Sequence, residues 1–184
     1  VDALTVSGHK LGSPKGSGFV YLRRGVSLEP LLHGGGQEDD RRSGTENVAW
    51  AVALATAITT VVPSGDAREV EATRVTHLRD SLVHDIIAAV PEARVSGDAN
   101  SCLPSIAAFT FAGINGESIL LELESRGVLV SSGAACAAGK DDPSHVLLAC
   151  GSAPDTARTA VRVSLAHTTT CLLYTSDAAD EGLG

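Results

Sequence analysis

The 184-residue chain contains no methionine, not even at position 1. Val1 is therefore expected to enter a fold already under way, with more chain ahead of it. The first residues also lack the charged, apolar, then small-residue order of a secretory signal. Positive charge is short: 14 Lys and Arg against 22 Asp and Glu leave a net charge of −8. That balance argues against a nucleic-acid or anionic-membrane surface as partner. The four cysteines, Cys102, Cys136, Cys150 and Cys171, form no C-x-x-C pair, and the six histidines show no ligand spacing around them. No metal site and no disulfide framework are expected, and a reducing cytoplasm is the default location. The longest uncharged run, Asn47 to Gly65, carries several threonines and is too weakly hydrophobic for a membrane span. It reads as a packed core helix.

What is present describes a globular chain: 43% hydrophobic and 20% charged residues, long enough for one domain or two small ones. Val1–Val6 reads as a strand ending in a loop at Ser7–Lys10, and Gly18–Leu22 as a second strand. A glycine-rich loop over Gly34–Asp40 precedes a helix over Asn47–Val62, which Pro63-Ser64-Gly65 breaks. Asp66-x-x-Glu69 has capping-box character. The helix behind it carries one apolar stripe through Val70, Val75, Leu78, Leu82, Ile86 and Val90, and Pro91 stops it. A strand over Ile106–Phe111 leads to a helix over Glu117–Ser125 with Gly127 as its C-cap. A short strand over Val128–Val130 enters a cysteine-bearing loop. Asp142-Pro143 should open a helix through Ala149, and Val161–Leu165 is the last strand. The pattern is α/β, with one domain over 1–64 and another over 65–170. From Cys171 to Gly184 the pattern breaks abruptly. That tail resembles the translation of a sequencing-library adapter and is set aside as non-native.

Two segments carry chemistry. Ser7-Gly8-His9-Lys10 runs into Leu11-Gly12-Ser13-Pro14-Lys15-Gly16-Ser17-Gly18. A lysine that holds an aldehyde cofactor must be desolvated and fixed, beside donors that can hold a phosphate. Ser7 and His9 offer such donors, and the Gly and Pro punctuation suits a rigid turn. Read alone, Lys10 is equally an ordinary lysine in a polar turn. The second segment, Val130-Ser131-Ser132-Gly133-Ala134-Ala135-Cys136-Ala137-Ala138-Gly139, surrounds a cysteine with small residues that leave its sulfur reachable. Read alone, Cys136 could equally be a small buried hydrophobe. Cys102, beside Leu103, and Cys150, after Leu147-Leu148-Ala149, read as buried structural thiols.

Together and in this order the two segments resemble the cysteine desulfurases, enzymes of pyridoxal phosphate (PLP) with fold type I in the class-V aminotransferase superfamily. Three more stretches agree. His33-Gly34-Gly35-Gly36-Gln37-Glu38 and Arg41-Arg42-Ser43-Gly44-Thr45-Glu46-Asn47-Val48 match the family's glycine-rich and Arg-Ser-Gly-Thr stretches. Ser105 to Glu117 matches a strand and turn of its small domain, and Val161-Arg162-Val163-Ser164-Leu165 its Arg-x-Ser strand.

The resemblance implies the C-terminal part of a fold type I large domain followed by an α+β small domain. It implies that Lys10 holds PLP covalently and that Ser7 and His9 bind the cofactor phosphate. Thr45 would reach the phosphate of the partner subunit's cofactor in a homodimer. From the sequence alone, Thr45 is also a candidate helix N-cap. Cys136 would accept the sulfur of L-cysteine as a persulfide, giving L-alanine, and pass it to an acceptor protein of unknown identity for iron–sulfur cluster or thio-cofactor supply. Arg162 would clamp the substrate carboxylate, a task that suits a planar bidentate donor. The other expectation for Arg162 is a solvent-facing place on an edge strand. His33 and Gln37 fall at the site's rim or the dimer interface. Ala134 stands where the family usually has serine, and Ala166-His167 where it usually has glycine. The family's residues that stack on the PLP ring and hold its pyridine nitrogen precede the lysine. Residues 1–184 alone are therefore expected to be inactive. The alternatives are another class-V PLP enzyme such as a selenocysteine lyase, or an inactive truncated reading frame.

Overall fold

The structure is a computed structural model and describes residues 1–61, 64–133 and 142–170. The chain divides into two compact units, Val1–Arg68 and the residues from Glu69 onward. Cys136 and the tail from Cys171 lie outside the described residues.

In the first unit, β1 (Ala3–Ser7) pairs antiparallel with β2 (Gly18–Leu22), Val6 opposite Phe19 and Ser7 opposite Gly18. A single 3-10 turn, Gly8–Leu11, follows β1 directly. Helix α1 (Val48–Val61) comes after a long loop. Apolar side chains on both strands stay exposed, among them Leu4, Phe19, Val20 and Tyr21. The expectation of a packed core helix is corrected here. Only Leu54 of α1 is buried, while Val48, Trp50 and Val52 are exposed. Composition predicts the helix, but burial depends on what packs against it.

The second unit is built on a four-stranded antiparallel sheet in the order β3-β4-β6-β5. Its strands are β3 (Ala93–Val95), β4 (Ile106–Phe111), β5 (Ser131–Ser132) and β6 (Ala160–Ser164). Alternation along β4 puts Ala107, Phe109 and Phe111 on one face. With Ala93 and Val161 they form the buried core. Phe109 is 1% exposed, and burying one such ring contributes about 1.5–3 kcal/mol. Helix α2 (Asp66–Ala89) lays Leu82, Val83 and Ile86 on this core, and α3 (Gly116–Ser125) adds Ile119 and Leu120. The expected stripe therefore holds from Val75 through Val90, and Val70 alone departs from it, being exposed.

Several boundaries moved for local reasons. At the end of α3, Gly127 has φ 80°. Its N–H bonds to Glu124 O at 2.9 Å, and Val128 N–H to Leu123 O at 2.9 Å. This is a Schellman closure. It occupies Val128, so the strand expected over Val128–Val130 forms at Ser131–Ser132 instead. Helix α4 (His145–Ala149) is capped by Ser144, whose Oγ accepts from Leu147 N–H at 3.4 Å, and not by Asp142. Strand β3 and α5 (Pro154–Arg158) were not anticipated. Pro154 at the first helical position was the available signal for α5.

After β6, Arg74 of α2 donates to Thr169 O at 2.8 Å and His167 O at 3.1 Å. The same guanidinium grips Glu71 at 2.7 Å. That hydrogen bond holds the Glu71 carboxyl below its ordinary value and raises Arg74. Among the described residues no single helix is long and apolar enough to cross a membrane.

Candidate active site

The turn bearing Lys10 is tightly built. Gly8 N–H donates to Ser17 O at 2.8 Å, and Ser13 N–H donates to Gly8 O at 3.1 Å. The Ser13 and Ser17 hydroxyls meet at 2.8 Å. A Cβ on Gly8 would stand 2.2 Å from Ser17 Oγ and 3.1 Å from Leu54 Cδ1. A Cβ on Gly16 would stand 2.3 Å from the Trp50 ring. The loop after β1 is therefore folded against α1 through Leu54 and Trp50, with no room for larger residues at Gly8. The bracing by Leu54 and Trp50 was not foreseen from the sequence.

On this turn Ser7, His9 and Lys10 are exposed. None of the three side chains has a hydrogen-bond or ion-pair partner among the described residues. A hydroxyl, an imidazole and an amine, all unengaged on one rigid turn, fit a cofactor with both a phosphate and an aldehyde. The desolvation such a lysine needs is not supplied by the described residues.

Thr45 is also exposed, and its side chain has no hydrogen-bond partner among the described residues. It is not the helix cap. Asn47 Oδ1 accepts from Trp50 N–H at 3.1 Å and caps α1, which frees the Thr45 hydroxyl. His33 is exposed. Gln37 reaches across this loop: its Oε1 accepts from Gly44 N–H, seven residues along, at 2.9 Å.

In the second unit, Arg162 lies on β6, opposite Ala108 of β4 and Ser131 of β5. The strand is interior, so the edge-strand expectation does not hold. Among the described residues, Arg162 Nε is buried without a hydrogen-bond partner. An unsatisfied buried guanidinium donor is costly unless something accepts from it, and a carboxylate is the matching group. The segment leading to Cys136 leaves from β5, the neighbour of Arg162. Gly133 N–H donates to Ala160 O at 3.1 Å, and Ser144 Oγ donates to Gly133 O at 3.3 Å. Both ends of the cysteine segment are thereby pinned to each other. Cys136 itself lies outside the described residues.

The two remaining described cysteines are corrected. Cys102 and Cys150 are exposed, not buried. Flanking leucines predicted burial, yet Leu103 is itself exposed and Leu148 is too. Cys102 Sγ accepts from Arg79 Nη1 at 3.0 Å, and Arg79 is only 9% exposed. A small pocket lined by Arg79, Cys102, Ser96 and Asp98 opens beside this pair. It contains none of the residues that the sequence singled out for chemistry.

Comparison with known proteins bears on this arrangement. The family model for aminotransferase class-V matches residues 1–171. The IscS-like cysteine desulfurase of Mycobacterium tuberculosis is 44% identical over 91% of this chain and 42% of its own length. Cysteine desulfurase NifS of Azotobacter vinelandii is 45% identical over 92% of this chain and 42% of its own. The chain thus spans under half the length of these relatives. Among solved structures, a NifS-like protein superposes with a TM-score of 0.80 at 32% identity, over 98% of this chain and 46% of its own. SspA in complex with cysteine superposes with a TM-score of 0.62, also at 32% identity, over 92% of this chain and 45% of its own.

Proposed function

The chain belongs to the class-V aminotransferase family, and from that premise we propose that it forms part of a PLP-dependent cysteine desulfurase. The observation that carries this reading is the Ser7–Lys10 turn, rigid in its backbone and open in its side chains. The relatives named cysteine desulfurase, and the solved relative holding cysteine, support L-cysteine as substrate.

Lys10 would hold the cofactor aldehyde, with Ser7 and His9 donating to its phosphate and Thr45 donating to the phosphate of a partner subunit's cofactor. When bound, PLP supplies an electron sink for the substrate's carbon skeleton. Lys10 would also move protons at the substrate's alpha carbon. Arg162 receives the substrate carboxylate on its otherwise unsatisfied Nε face. The Cys136 thiolate attacks the substrate sulfur: an S–S bond forms as the carbon–sulfur bond breaks. The electron pair left on carbon takes a proton, and L-alanine leaves. The persulfide on Cys136 then passes to an acceptor protein. A polypeptide of residues 1–184 alone is proposed to be inactive, because its Lys10 is left exposed to water.

Borohydride reduction of the holoenzyme followed by peptide mapping tests the reading. Cofactor mass retained on the Lys10 peptide supports it. Cofactor mass on Lys15 or Lys140 overturns it.

A further inference from the structure

Between the hairpin and α1 lies a loop whose order comes from polar contacts alone. Of residues 31 to 42, Gln37 is the one that is not fully exposed. The loop closes at its base through Ser43 N–H to Leu32 O at 3.1 Å. Gly34 lies against Ser43, since a Cβ there would sit 3.2 Å from the serine Cβ. Within the loop, Asp40 N–H bonds to Gly36 O at 3.3 Å and Arg41 N–H to Glu38 O at 3.2 Å. The Gln37 side chain then reaches seven residues along the chain to take Gly44 N–H at 2.9 Å. Gly44 has φ 114°, a backbone state that glycine alone enters cheaply. A residue in that state has no helix or strand to hold it. The Ser43–Gly44 peptide is held instead by side chains, with Gln37 on its N–H and Arg42 Nη1 on its carbonyl, Ser43 O, at 2.8 Å. Thr45 follows immediately, and Asn47 begins the capped helix two residues later.

We propose that Gln37 is a positioning residue: by gripping Gly44 N–H it sets the direction in which Thr45 presents its hydroxyl to the cofactor phosphate of a partner subunit. This rests on the proposed role of Thr45. An amide N–H can bond only to the oxygen end of Gln37, which fixes the orientation of its side-chain amide. The interaction therefore needs an acceptor at that reach and tolerates loss of the Nε2 donor.

The test measures binding of PLP and of pyridoxal, which lacks the phosphate, to the holoenzyme stripped of cofactor. The variants are Thr45→Ala, Gln37→Leu, Gln37→Glu and the Gln37→Leu/Thr45→Ala double. Thr45→Ala should lower the PLP-to-pyridoxal affinity ratio by about tenfold, as expected for a charge-assisted bond. Gln37→Leu should lower the same ratio by about three- to tenfold, since one neutral hydrogen bond is at stake. Gln37→Glu, which keeps an acceptor, should restore the ratio toward the parent value. The double variant should fall little below Thr45→Ala, because both changes remove one effect. If Thr45→Ala leaves the ratio unchanged, the role of Thr45 fails and this inference with it. If Thr45→Ala lowers the ratio and Gln37→Leu does not, the inference alone is overturned. Equal losses of PLP and pyridoxal affinity in Gln37→Leu, unrestored by Gln37→Glu, would mark a general loop defect and also overturn it.

Discussion

The two units use apolar residues in opposite ways. From Glu69 onward, Phe109, Phe111, Ala107, Val161 and Ala93 converge on one sheet face, and two helices cover them. Before it, Leu31 is 96% exposed, and Leu28, Leu32, Val48 and Val52 join it at the surface. The later unit closes its own core, while the earlier unit is ordered by a hairpin, the lysine turn against α1, and a loop held by polar contacts. The contrast fits the tasks proposed for them. A self-sufficient sheet can hold Arg162 and the base of the cysteine segment in place. A platform that presents Ser7, His9 and Lys10 depends on whatever covers it for the dry surroundings that cofactor chemistry needs.

The comparison breaks most decisively at Lys10. In the holoenzyme, Lys10→Ala should abolish the visible absorbance of bound PLP and all turnover. Retained absorbance would remove the cofactor from the first unit. Next comes the core. In a polypeptide of this sequence, Phe109→Ala should lower unfolding stability by about 3–5 kcal/mol through lost burial and a residual cavity. Chemical denaturation measures it, and a loss below about 1 kcal/mol would mean that the sheet is not the stabilising centre. Arg162→Leu should raise KM for L-cysteine by about ten- to a hundredfold, the worth of one charge-assisted contact, while leaving cofactor absorbance intact. A change in cofactor binding with an unchanged KM would move Arg162 out of the substrate site.

Two smaller effects probe the edges of the contrast. Glu71 has a lowered pKa in the folded state because Arg74 bonds to it. The unfolded carboxyl binds protons more readily, so this pair stabilises the fold above about pH 4.5. The gain is lost as pH falls through the lowered value. Glu71→Gln should flatten this acid limb of a stability-versus-pH curve, and an unaltered limb would discount the pair. Smallest of all, Leu31→Ser should change stability by under about 0.5 kcal/mol, since water already surrounds that side chain.

The elements set by local rules were legible in the sequence. Strands Gly18–Leu22 and Ile106–Phe111 form at their expected residues, and Gly127 turns α3 as its position required. Burial was legible only in part: the α2 stripe from Val75 to Val90 is covered as expected, but α1 is not. The run through α1 is apolar enough to be a core helix, yet its surroundings decide that, and they are distant in sequence. The same reason misplaced Cys102 and Cys150, whose leucine neighbours are themselves exposed. Ser144 won the cap from Asp142 because it sits next to the first helical residue, within reach of Leu147 N–H. At the site, the family resemblance pointed to Ser7, His9, Lys10, Thr45 and Arg162. It could not show that Asn47 frees Thr45, or that Arg162 Nε is buried without a partner among the described residues.

The exposure of Cys102 and Cys150 sharpens the central claim, because reachability does not single out Cys136. Mapping persulfide sulfur by peptide mass spectrometry after incubating the holoenzyme with L-cysteine tests it most directly. The account predicts one added sulfur on the Cys136 peptide, none on the Cys102 or Cys150 peptides, and no L-alanine from Cys136→Ser. A persulfide on Cys102 or Cys150, with Cys136→Ser still releasing L-alanine, would contradict it.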